Sequence, residues 1–287
     1  MLIYALPANP LVWHPHFEVW LVMAGLLGAY LWAVRVWGPR YTSPGEQVVT
    51  KSQTRLFALG VAALWIGAEW PIHDLAEGYL FSVHMVQHFI FSLVAAPLLL
   101  MGLPGWMARK LLSPKPVMAV MKRLTRPFPA MLAFNGFLVL SHAPAYMNAV
   151  LNNHALHFGS HAVLLGLSLL MWWPVLSPLP ELPRLAAPAQ MLYLFGQTIL
   201  PTVPASFLTF ASRPFYSFYV HAPRVFSGWD ALADQSLGGV FMKLGGGLLL
   251  WSVITVLFFR WSVREEEGVP DPAEWQHLER ELNKVGK

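Results

Sequence analysis

Two pairs of histidines stand four residues apart in weakly charged surroundings. One is His84 and His88, in the run His84-Met85-Val86-Gln87-His88; the other is His157 and His161. Residues at i and i+4 share one face of a helix, so each pair points two ring nitrogens the same way. That is the spacing of two ligands to one metal ion, and imidazole suits copper, zinc, nickel and iron. The chain has no cysteine. A thiolate site is therefore excluded, and imidazole is the main strong neutral ligand left. Protonated imidazole cannot bind metal, so such a site should weaken as pH falls toward and below about 6.5. Between His84 and His88 stand Met, Val and Gln, so the glutamate of a His-Glu-x-x-His hydrolase is absent and no enzyme is read here. Met85 points about 100° around the helix from His84 and reads as packing.

The elements that must carry these pairs are apolar. Of 287 residues 56% are hydrophobic and 12% charged, against roughly a quarter charged in soluble domains. From 78 to 106 no residue carries a formal charge, which is enough to cross a bilayer. The pattern predicts an all-α, polytopic membrane helical bundle. Seven transmembrane helices are expected at about 16–37, 54–70, 79–101, 128–142, 154–173, 189–210 and 237–259. A short outer lead-in (1–15) precedes the transmembrane domain (16–262), and a polar cytoplasmic tail (263–287) follows it. Pro97 should kink the third helix, and Pro201 and Pro204 should bend or break the sixth. The link at 102–127 is basic without an acid and should lie along the surface. The net charge of +4 is no nucleic-acid signal in such a chain. Its distribution sets topology instead, and the lipid bilayer is the first partner.

Seven spans put all 19 lysines and arginines on one side except Arg213, Arg224 and Lys243. The positive-inside rule then gives N-out and C-in. That orientation gathers every histidine except His277 on the outer half. His84, His88, His157 and His161 are the first candidates for ligands, with His154 and His142 behind them. Glu69, at the end of the second span, and Asp74, just after it, are candidates to support a ligand imidazole or assist a bound water. His14, His16 and His221 read as interface residues.

The chain resembles the seven-helix caa3-type cytochrome c oxidase assembly factors. The residues that carry the resemblance are the His84–His88 run, Trp65 to Trp70, His154 to His161, and Asp234-Gln235 with Gly238, Gly239 and Met242. The resemblance implies a bacterial inner-membrane protein that serves copper-centre maturation. Copper is then the implied metal, ahead of zinc or haem. Haem–copper oxidase subunits and a periplasmic copper donor are the implied partners. Asp234 and Gln235 would lie at the outer boundary, where a carboxylate could orient a ligand imidazole or cap the seventh helix. Three other readings stay open. One is haem held between His88 and His161. Another is a metal transporter opening at the sixth helix, and the last is a structural partner docking through the aromatic loop 215–229.

Overall fold

The computed structural model describes residues 12–268. Most of the lead-in, most of the tail and His277 lie outside the described residues. Among those described, all regular structure is helical. The helices that matter here are α1 (Phe17–Val36), α2 (Lys51–Ala68), α3 (Ile72–Gly78), α4 (Phe81–Gly102), α5 (Gly105–Leu111) and α6 (Lys115–Leu124). They continue as α7 (Pro127–Ser141), α8 (Pro144–Leu151), α9 (His154–Leu176), α10 (Ala187–Thr209) and α11 (Ala231–Glu266). Five of them, α1, α4, α9, α10 and α11, are long and apolar enough to cross a membrane. The pairs α2–α3, bent by 44°, and α7–α8, bent by 74°, bring the number to seven if each is one broken span. The chain is a multi-pass membrane protein.

Helix α4 lies at the centre, packed on α2, α3, α9 and α11. Small residues allow this closeness, as expected where apolar driving force between helices is weak. A Cβ on Gly60 would sit 2.9 Å from the backbone nitrogen of Leu99, and one on Gly238 would meet the ring of Phe81.

Proline chemistry then shapes the middle of α4. Residues Ile90–Ala95 form a π-helical turn in which Ala96 N–H bonds to Phe91 O. The same register would pair the next nitrogen with Ser92 O, but that residue is Pro97 and has no N–H. The orphaned Ser92 carbonyl instead accepts the indole N–H of Trp172 on α9 at 2.9 Å. Ser92 Oγ donates to His88 O at 2.6 Å. One wound turn thus ties α4 to α9 immediately below the histidines. The expected kink at Pro97 is a π turn one step earlier in the chain.

Polar side chains elsewhere in the spans are used as cross-links. Asn135 Nδ2 donates to Gln197 Oε1 at 2.6 Å, Gln197 Nε2 to the Tyr193 hydroxyl at 3.0 Å, and that hydroxyl to Met171 O at 2.8 Å. This chain joins α7, α10 and α9. The sixth span is broken as expected, with its two halves Ala187–Ile199 and Thr202–Thr209 meeting at Pro201.

Helix α11 departs from expectation. It has 36 residues, about 54 Å at about 1.5 Å per residue, against about 30 Å of hydrocarbon. It starts earlier than 237 because Asp230 caps it, accepting from Ala233 N–H at 2.7 Å, and it runs past residue 262 to Glu266. The basic link is two short helices, α5 and α6, with Arg109 paired to Glu181 at 2.6 Å.

Candidate metal centre

The first turn of α4 is held by a carboxylate from another helix. Asp234 accepts from Phe81 N–H at 2.6 Å, Ser82 N–H at 3.3 Å and Ser82 Oγ at 2.5 Å. It occupies the end where helix amides lack partners and favour negative charge. His84 and His88 follow on one face. Helix α9 begins at Asn153, whose side chain accepts from Leu156 N–H at 3.1 Å. That start sets His157 and His161 on successive turns facing α4.

The two pairs converge. Ring centroids lie 4.2 Å apart for His84 and His88, and 4.3 Å apart for His157 and His161. Between helices the separations are 5.9 Å for His84–His157, 6.1 Å for His84–His161 and 5.4 Å for His88–His161. One ring nitrogen each of His84, His88 and His161 lies within 4.8 Å of the others. Ligands on one ion with bonds of about 2.0 Å sit roughly 3.3–3.5 Å apart, so modest ring rotations close the set.

Glu77 of α3 organises the α9 side. Its carboxylate accepts from His157 Nδ1 at 2.8 Å and from His73 Nδ1 at 2.8 Å. With Nδ1 protonated, His157 presents Nε2 as a lone pair, the arrangement in which a carboxylate orients a metal-binding imidazole. That Nε2 is buried without a hydrogen-bond partner, and so are His161 Nε2 and both ring nitrogens of His84. Leaving a buried polar atom unpaired costs about 1–3 kcal/mol. Each of these three rings has one lone pair to offer, which suits a cation that accepts lone pairs, and the residues present fit a metal ion.

A second group lies nearer the start of α1. His16 Nε2–H donates to Asp74 Oδ1 at 2.8 Å, and the rings of His16 and His73 meet edge to face at 4.5 Å. The hydrogen bond to Asp74 pushes the His16 imidazole up to about 9. Its ion pair with Asp74 therefore contributes fully below about 6.5 and is lost as pH rises through about 9. His16, which reads as an interface residue in sequence, and Asp74 together with His73 form a set whose ligand atoms lie within 4.8 Å. Through His73 and Glu77 this set connects to His157.

Four other sequence candidates stand elsewhere. His154 is exposed at the first turn of α9 and joins none of the three groups that could hold a metal among the described residues. Glu69 accepts from Trp20 Nε1 at 2.5 Å and His16 N–H at 3.3 Å, clamping α1 to α2. Asp234 caps α4 rather than its own helix or an imidazole. Gln235 accepts from Phe215 N–H at 2.7 Å and donates to Leu208 O at 3.3 Å, so it fixes the loop before α11. His142 is buried beside the cluster, its ring 6.3 Å from that of His88. The sequence reading passed over Glu77 and His73 as site residues. Their own i,i+4 spacing was the available signal.

The family of cytochrome c oxidase caa3 assembly factors (Caa3_CtaG) matches residues 28–264. The chain belongs to that family. No curated protein and no solved structure is detectably similar to it.

The placement of the two glutamates separates their roles. Glu77→Gln removes the charge that orients His157 and should weaken metal binding about 10- to 100-fold. Glu69→Gln should leave affinity within about twofold, because its contacts are to Trp20 and the His16 backbone. Competitive metal titration of both purified variants checks this; equal losses would place Glu69 in the site.

Proposed function

We propose that this protein serves the maturation of a copper centre in a haem–copper oxidase, holding copper as cargo in the cluster of His84, His88, His157 and His161. Family membership supports the assembly role. The observation that carries the metal role is the set of four buried, unpartnered ring nitrogens on α4 and α9. Copper is preferred over zinc because its acceptor in this reading is an oxidase copper centre. The partners are the oxidase subunits and a periplasmic copper donor.

The charge distribution supports an N-out, C-in arrangement of seven spans in the bacterial inner membrane. The basic helices α5 and α6 then face the cytoplasm, and the histidines lie toward the periplasm. The His16–His73–Asp74 group is nearer that surface, and Glu77 stands between it and the buried four. Cargo arriving from outside would meet the half-buried Asp74 carboxylate and His73 before the inner imidazoles.

Replacing His88 or His161 with Ala should lower copper affinity at least tenfold while the protein still inserts and purifies. Copper stoichiometry and affinity equal to wild type in both variants would remove the cluster from the function. Orientation is tested separately with Lys115→Cys and Asn148→Cys. An impermeant thiol reagent applied from the periplasm should label position 148 and spare 115; labelling at 115 would reverse the topology.

A further inference from the structure

The hydrogen bonding of His142, like that of His157, assigns its tautomer. Its Nδ1 lies 2.6 Å from Leu138 O, so Nδ1 carries the proton and donates. Its Nε2 is then a bare lone pair. That lone pair lies 3.3 Å from the thioether sulfur of Met85, which also has no proton to give. Two electron-pair donors thus face each other across a short gap, both in residues less than one-tenth exposed. A doubly protonated ring would resolve the contact only by placing a cation in the span, where charge is costly, and His142 has no ion-pair partner among the described residues.

The surroundings favour an ion over simple packing. A cavity of about 80 Å³ opens beside these atoms, lined by Met85, His88, His142 and Met242 among others. Bonds of about 2.0 Å to nitrogen and about 2.3 Å to sulfur, with 3.3 Å between the donors, give an angle at the ion of about 100°. That angle belongs to three- or four-coordinate geometry, so a third ligand is required. His88 lines the same cavity, and its ring is 6.3 Å from that of His142. Thioether sulfur with imidazole selects monovalent copper over zinc.

We infer that His142 and Met85, with His88 shared, form a second site selective for Cu(I) beside the four-histidine cluster. This rests on the copper reading above and adds an oxidation state and a soft ligand to it. Met85 faces away from His84 around α4, as its position in the helix requires, and for that reason it meets His142, just past the end of α7, instead.

The test is copper-edge X-ray absorption on the full chain loaded anaerobically with Cu(I), in wild type, Met85→Leu and His161→Ala. Wild type should show a sulfur scatterer at about 2.3 Å. Met85→Leu, which nearly conserves volume, should lose that scatterer and bind one Cu(I) fewer, with zinc stoichiometry unchanged. A wild-type spectrum with nitrogen ligands alone overturns the assignment and needs no variant to fold. Survival of the sulfur signal in Met85→Leu overturns it as well. Either result leaves the four-histidine site standing, because failure of that site appears instead as undiminished copper binding in His161→Ala.

Discussion

An imidazole inside a membrane span must find partners for its ring nitrogens, since neither lipid nor packed apolar side chains can supply them. The structure meets this demand for some histidines and leaves it unmet for others. His142 and His157 each have Nδ1 satisfied, by a carbonyl and by Glu77. His84 has neither nitrogen satisfied. A packed core would not keep such a residue almost fully buried without return, and a bound cation would supply part of that return by taking one lone pair from each of several rings. Much of the surrounding architecture serves the same end. Asp234 fixes where α4 starts, Asn153 fixes where α9 starts, and Trp172 on Ser92 holds the two helices together below the rings.

Much of this was legible in the sequence, and the part that was not has a physical reason. Periodicity and charge place His84 with His88 and His157 with His161, because i,i+4 neighbours are local. The contact between the two pairs is not local. It depends on the π turn before Pro97, whose freed carbonyl finds Trp172 eighty residues on. Glu77 went unrecognised because its importance lies in reaching His157 on another helix. Asp234 was misjudged for the converse reason. Its position near a helix start suggested a local cap, but Asp230 does that work, and Asp234 serves α4 across 153 residues. The bend between α7 and α8 falls at Pro144, and the length of α11 was not visible in the sequence, since its ends carry polar residues that continue the helix beyond the hydrocarbon.

The geometry also weighs on the competing chemistries. A haem between His88 and His161 would need a flat macrocycle in the space between rings whose centroids are 5.4 Å apart and nearly perpendicular. Those ring separations suit a single ion bound by several nitrogens. The polar residues of α10 that suggested a transport path are committed to one another, Gln197 to Asn135 and Tyr193, and act as a brace between helices. What distinguishes this bundle is a graded series of donors: carboxylate and imidazole near the start of α1, Glu77 between, imidazole inside, and thioether beside His142.

The central claim is that the metal is held where the unpartnered nitrogens of α4 and α9 converge. Anomalous diffraction at the copper edge from copper-loaded crystals of the full chain tests this most directly. The account predicts a strong peak within bonding distance of ring nitrogens of His84, His88 and His161. A peak confined to the His16–His73–Asp74 group, with no density among those buried rings, would contradict it.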